Sequence, residues 1–331
     1  MPRPGILIRE DMRNPEFDSD ARRRGIDRLS QLGELSYYAG ELTGELGSGV
    51  LGVIASGALI HPEFYEAAAD LRIVARYGVG FEKVNLQLAT EHGVIVTLAP
   101  EHIESVAEYA VTQWLATLKR VYTLNRNSHG GDYATICTYE ASGTTLGVYG
   151  FGRIGQAVAR LAKPLLGAEG RLLVYDIRAD ISQLAESFGA EAVNDPLTLF
   201  QESDTITLHV AGDDTIVNYE RFRAMKPHAS LINAARGSLV DDEAAHRAVE
   251  EERLFYYVVD DPVNGPRELY RNHPRIICTN HNAGITAQSA VRLDARCIGQ
   301  VSDAFQGRTP AQVLNADVLQ HPRTMDFLRA Q

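Results

Sequence analysis

Residues 146–162 read as a short apolar strand, Leu146-Gly147-Val148-Tyr149, then Gly150-Phe151-Gly152-Arg153-Ile154-Gly155, then a helix-forming run from Gln156 to Ala162. Few local patterns restrict a fold so strongly. Gly150 permits a tight turn, Gly152 lets the backbone approach a pyrophosphate, and Gly155 allows close packing of helix on strand, while the helix amides face the phosphates. Twenty-one residues past Gly155, Asp176 closes the apolar run from Arg171 to Tyr175, about the offset of a ribose-binding acid. A carboxylate there accepts from both ribose hydroxyls and repels a 2′-phosphate, so the pattern predicts NAD in preference to NADP. Arg178, two residues on, softens that exclusion.

Around this loop, short β-branched runs alternate with helical-period stretches over nearly the whole chain, the signature of βα units about a mostly parallel sheet. The first hundred residues offer strands at 5–9, 50–55, 71–77 and 94–97, a first, smaller sheet. Ser105 and Glu108 then form a capping-box pattern. From there Val106, Ala110, Val111, Trp114, Leu115, Leu118 and Val121 keep three-and-four spacing, which predicts one helix of more than four turns ending at the turn formers 128–132. Six further strands are expected at 146–149, 171–175, 205–210, 229–233, 254–259 and 275–278, the size of a doubly wound nucleotide domain. A helix follows at 286–305, and the tail from Thr309 reads as irregular.

The chain has 331 residues, enough for two domains. Its net charge of −11 disfavours nucleic acid and anionic membrane surfaces as partners. The amino end lacks the apolar core of a secretory leader, and no run reaches the length of a membrane span. Three cysteines, Cys137, Cys278 and Cys297, have neither Cys-x-x-Cys spacing nor an even count. They argue against a disulfide framework or structural zinc, and a reducing cytoplasm is the expected location.

In open α/β sheets ligands bind beyond the carboxyl ends of the strands. Three polar clusters fall at such ends: Asn233-Ala234-Ala235-Arg236-Gly237, Asp260-Asp261, and Asn280-His281-Asn282. Singly, Arg236 could be a surface arginine, Asp260 a cap and His281 a structural histidine. Together they converge on the mouth of one nucleotide fold.

With these residues in place the chain resembles the D-isomer-specific 2-hydroxyacid dehydrogenase family. The resemblance is carried by Arg76-Tyr77-Gly78-Val79-Gly80, Ser105-Val106-Ala107-Glu108, the loop 150–155, the run 203–210, Met225-Lys226-Pro227, the run 232–241 and His281-Asn282-Ala283-Gly284. It implies an α/β chain in which a Rossmann doubly wound NAD-binding domain, residues 105–284, is inserted in a flavodoxin-like catalytic domain, residues 1–104 and 285–331. It further implies that Arg236 binds the substrate carboxylate bidentately and that His281 is the acid/base for hydride exchange between NAD and a small 2-hydroxy or 2-oxo acid. Tyr77, Gly78, Val79 and Gly80 match the loop that grips substrate. Val106, the loop Gly150, Phe151, Gly152, Arg153, Ile154 and Gly155, then Asp176, His209, Ala234, Ala235, Arg236, Asp260, His281, Ala283 and Gly284 match cofactor positions, with Asp260 on the carboxamide. A homodimer is expected on the same ground.

One position departs from the pattern. The family places a Glu shortly after Asp260 that orients the histidine and raises its pKa; here Gly265 stands there, and Asp261 and Glu268 are the nearby carboxylates. Two readings follow from that gap: an NAD-dependent oxidoreductase, or an NAD(H)-binding sensor or scaffold with weak or altered chemistry.

Overall fold

The computed structural model describes residues 3–260 and 268–330, which form two compact units. Unit 1 comprises residues 1–102 and 286–331, and unit 2 residues 103–285.

Unit 1 is built on five strands, β1 (Gly5–Arg9), β2 (Glu34–Tyr38), β3 (Val50–Ala55), β4 (Ile73–Arg76) and β5 (Ile95–Leu98). All pair in parallel, in the order β2-β1-β3-β4-β5. A parallel sheet is covered on both faces, so its strands are apolar throughout, and alternate residues feed opposite cores. Ile6, Ile8, Ile54, Ile73 and Ile95 enter one core with Leu293, Cys297 and Val301 of the helix Ala287–Phe305. Leu7, Val53, Val74 and Val96 enter the other with Phe64 and Tyr65. Thr286 caps the long helix, accepting from the Ser289 amide at 3.0 Å while the Ser289 hydroxyl accepts from the Thr286 amide at 2.9 Å.

Among the described residues unit 2 carries seven parallel strands: β6 (Thr145–Tyr149), β7 (Arg171–Tyr175), β8 (Glu191–Ala192), β9 (Thr205–Leu208), β10 (Ser230–Asn233), β11 (Tyr256–Val259) and β12 (Ile276–Cys278). Their order is β12-β11-β10-β9-β6-β7-β8. Counted within the unit this is 3-2-1-4-5-6-7, the doubly wound order with one added strand. Unit 1's order is the flavodoxin-like one. The reversal in unit 2 falls between β6 and β9, where the glycine loop leaves the sheet.

Four expectations need correction. β2 leaves no strand signal in the sequence, because Glu34 and Ser36 are exposed on an edge strand and break up the apolar run. The six strands expected for the nucleotide domain are seven, the extra one being the two-residue edge strand β8. The long helix starts at Ile103, so Ser105 lies buried inside its first turn and is not its N-cap, and it stops at Leu118. Arg120 takes φ 50, its guanidinium 4.4 Å from the Phe255 ring centre, and a second helix, Val121–His129, follows. The tail is ordered as well: Asn315 binds the amide of Val96 at 2.9 Å, and the helix Pro322–Arg329 starts on His321 with proline in its first turn.

Candidate active site

The glycine loop is shaped by contacts that leave no room for side chains. Gly150 has φ 94, and a Cβ there would lie 2.6 Å from the carbonyl oxygen of His209. A Cβ on Gly155 would lie 2.1 Å from the carbonyl oxygen of Gly150, whereas Gly152 faces open space. The helix Arg153–Leu166 begins at once. The amides of Gly152, Arg153, Ile154 and Gly155 have no acceptor among the described residues, so a row of donors faces outward at the positive end of a helix dipole. Asp176, at the end of the neighbouring strand, accepts from the Phe151 amide at 2.6 Å and from the Arg178 amide at 3.1 Å. Each oxygen keeps a lone pair for a further donor. The side chain of Arg178 is turned to Asp180, at 2.5 and 2.9 Å, and not to an incoming ligand.

His209 follows β9 beside this loop. Its Nε2 lies 2.9 Å from the Thr207 hydroxyl, and its Nδ1 is enclosed with no partner among the described residues. Enclosure penalises the charged ring and pushes its pKa down to about 3, so His209 is neutral. The glycine cradle, the open amides, the anchored carboxylate and the orphaned Nδ1 fit a dinucleotide. Val106 is buried on the helix Ile103–Leu118.

Three neighbouring strands present the remaining unit 2 residues. Beyond β10, fully buried Asn233 accepts from the Ala235 amide at 3.1 Å and donates to the Arg236 carbonyl at 2.7 Å, which fixes the turn through Ala234, Ala235 and Arg236. Beyond β11, Asp260 is 4% exposed. It accepts from the Thr279 hydroxyl at 2.6 Å, the Asn282 amide at 2.9 Å and the Ala283 amide at 2.6 Å. Beyond β12, that clamp holds the turn carrying His281, which is exposed and has φ 51, with Ala283 and Gly284 following. The Tyr109 hydroxyl reaches the Thr279 hydroxyl at 2.6 Å, and burial raises its pKa well above the usual range. The roles of Asn233, Thr279 and Tyr109 are new from the structure. Asp260 therefore serves the His281 turn with both oxygens, a task the sequence did not assign to it.

Asp261 and Gly265 lie outside the described residues. Glu268, the other carboxylate named for His281, is exposed and pairs with Arg271 at 2.8 Å. His246, Glu250 and His273 offer three metal-ligand atoms within 4.8 Å of one another. Nδ1 of His273, however, accepts from the Arg275 amide at 3.1 Å, which leaves the proton on Nε2, 3.0 Å from Glu250. That is a hydrogen-bonded pair occupying the ligand position.

In unit 1 the segment 77–80 leaves β4 through Gly78, at φ 119. Arg76 is 5% exposed, and its Nε and Nη2 donate to the Gly80 carbonyl at 3.1 and 2.6 Å. The Tyr77 hydroxyl donates to Asp294 at 2.9 Å, and Asp294 is itself paired with Arg22 at 2.6 Å in a buried ion pair. The amides of Gly78, Val79 and Gly80 have no acceptor among the described residues. Three consecutive backbone donors are thus left for an outside acceptor.

A nucleotide fold with such a glycine loop, followed by an arginine and a histidine at strand ends, defines an NAD-linked oxidoreductase. The family profile described as D-isomer specific 2-hydroxyacid dehydrogenase, NAD binding domain, matches residues 111–283. A glyoxylate reductase of Korarchaeum cryptofilum is 32% identical over 277 residues, spanning 78% of this chain and 81% of that one. A D-3-phosphoglycerate dehydrogenase of Methanocaldococcus jannaschii is 30% identical over 303 residues, 87% of this chain and 56% of that longer one. Among solved structures, a glyoxylate reductase from Paecilomyes thermophila superposes with a TM-score of 0.80 at 21% identity, covering 96% of this chain and 100% of that one, a likeness of fold. The chain belongs to the D-isomer-specific 2-hydroxyacid dehydrogenase family. It is an NAD-dependent dehydrogenase acting on the CH–OH group of donors. Among the described residues no helix is long and apolar enough to cross a membrane.

Proposed function

We propose that the chain interconverts a small 2-hydroxy acid and its 2-oxo acid, with Arg236 and His281 as the catalytic residues. NAD, when bound on the loop 150–155 with its ribose on Asp176, supplies or accepts the hydride at C2. Val106, His209, Ala234, Ala235, Asp260, Ala283 and Gly284 complete its lining. The guanidinium of Arg236 takes the carboxylate and C2 oxygen together, a two-pronged contact that fixes the carbonyl plane. The amides of Gly78, Val79 and Gly80, beside Tyr77, hold the far side of the carboxylate. His281 as imidazolium gives its proton to the C2 oxygen during reduction and recovers it during oxidation. In this reading residues 105–284 are the NAD-binding domain and residues 1–104 and 285–331 the substrate domain. The enzyme works in the cytoplasm as a homodimer.

The observation that carries the reading is the clamp of buried Asp260 on both flanks of the His281 turn, Thr279 before it and Asn282 and Ala283 after it. A family member retained only to bind NAD has no use for so fixed a histidine. NADH consumption across glyoxylate, pyruvate and hydroxypyruvate tests the proposal. Turnover with at least one of them is expected, and tight NADH binding without turnover of any 2-oxo acid would favour a sensor or scaffold.

A further inference from the structure

Unit 1 contains a cavity of about 770 Å³ that none of the roles above uses. It opens over the carboxyl ends of β2, β1 and β3, where the order β2-β1-β3-β4-β5 reverses. Such a reversal point is where open α/β sheets take ligands. The cavity adjoins the substrate segment in two ways. Ser56, in its lining, directly follows β3, whose last residue Ala55 pairs with Arg76 of β4. Arg9, also in the lining, places its guanidinium 4.2 Å from the ring centre of Tyr77.

The lining states the chemistry it would recognise. Arg9 and Arg13 are balanced by Glu10 and Asp11, and Arg9 is already paired with Asp11. A lining with no net charge gives no reason to draw in a phosphate or a second carboxylate. It is rich in both donors and acceptors. Glu10 has no hydrogen-bond or ion-pair partner among the described residues, and Arg13 only stacks its guanidinium 4.9 Å from the Tyr37 ring centre. Asn14 spends its oxygen on the Glu16 amide at 3.0 Å and keeps its NH2 group. Tyr38 stays a neutral hydroxyl, because burial raises its pKa. Groups that donate and accept together, as hydroxyls do, match such a surface.

Reach sets the size. From the end of β4 to the end of β1 is two strand spacings, about 9.6 Å. At roughly 1.2 Å per bond plus a hydrogen bond of about 2.8 Å at each end, a three-carbon acid spans about 8 Å and a six-carbon acid about 12 Å. Glyoxylate and hydroxypyruvate therefore fall short of the cavity.

We propose that this cavity receives the hydroxylated tail of a 2-oxo aldonic acid of five or six carbons, with Glu10, Arg13 and Asn14 as specificity-determining residues. The inference rests on the reading that the C1 carboxylate lies on the amides of Gly78 to Gly80.

The test compares kcat/KM for 2-oxogluconate and glyoxylate with NADH, in the wild type and in Glu10→Ala and Arg13→Ala. Both side chains are exposed, so folding is not at stake. Wild type is expected to favour 2-oxogluconate by tenfold or more, and each variant to cut that ratio at least tenfold, mainly through KM. Calorimetry of D-gluconate binding to the same three proteins gives a readout free of turnover, with binding expected only in the wild type. Turnover of glyoxylate with no preference for 2-oxogluconate, or a ratio the variants leave unchanged, overturns the tail site and leaves the proposed reaction standing. Gluconate binding that the variants weaken, in a protein that reduces no 2-oxo acid, retains the tail site and overturns the reaction.

Discussion

Replacing Asp260 by Asn keeps shape and volume but substitutes an NH2 group for one acceptor oxygen. If the NH2 stands in place of Oδ2, it faces the Ala283 amide, now 2.6 Å from the carboxylate; if in place of Oδ1, it faces the Asn282 amide and the Thr279 hydroxyl, at 2.9 and 2.6 Å. Either placement leaves a buried N–H against another donor. The less costly one loses a charge-assisted bond worth about 1.5–3 kcal/mol and strands an amide at about 1–3 kcal/mol, so roughly 2.5–6 kcal/mol of clamping is removed. The turn it holds includes His281 in the left-handed region, itself a cost of roughly 1–2 kcal/mol that the clamp must overcome. If half of the lost clamping appears as lost placement of His281 in the transition state, kcat falls about 8- to 160-fold. Steady-state kinetics with NADH and a 2-oxo acid gives kcat and KM, and hydrogen exchange gives the protection of the 282 and 283 amides. Both kcat and amide protection should drop in the variant. A kcat within twofold of wild type refutes the clamp, and a lost kcat with unchanged protection shows that Asp260 acts on the cofactor and not on the turn.

Arg236→Lys keeps the charge but cannot reproduce a two-pronged contact, so kcat/KM should fall at least a hundredfold while NADH affinity by calorimetry stays within a few-fold. Asp176→Ser should narrow the preference for NADH over NADPH by tenfold or more in kcat/KM, because the carboxylate set against a 2′-phosphate is gone; the Phe151 amide also loses its acceptor, so some NADH affinity goes with it. His209 titrates near 3 when folded and near 6.5 when unfolded. Below pH 6.5 the unfolded chain therefore binds the extra proton, and stability declines by about 1.4 kcal/mol per pH unit on acidification toward 3. Denaturant titrations at pH 7 and 5 should show that slope in the wild type and a shallower one in His209→Gln.

The sequence carried the strand cores because both faces of each sheet are buried, which makes runs such as Leu172-Leu173-Val174 continuously apolar. Where that condition lapses, so does legibility: β2 alternates exposed and covered residues at an edge, and β8 is two residues long. The helix break at Arg120 was hidden because Val121 continues the apolar spacing although it is 48% exposed. In the site, the glycine loop was readable because strand, turn and helix lie within twenty residues. The Asp260 clamp was not, since its partners lie 19 to 23 residues downstream and meet it only through the pairing of β11 with β12. Asn233 was visible as a strand-end residue, yet only the fold shows it pinning the backbone of Arg236.

The proposed reaction is hydride transfer to C2 of a 2-oxo acid with His281 as proton donor. It is tested most directly by following deuterium from NADH labelled at the nicotinamide C4 into the product by NMR, in the wild type and in His281→Ala. Deuterium is expected at C2 of the 2-hydroxy acid with the wild type and none above background with the variant, both proteins binding NADH. Label at C2 at equal rates in the two proteins, or no transfer by a wild type that binds NADH tightly, would contradict it.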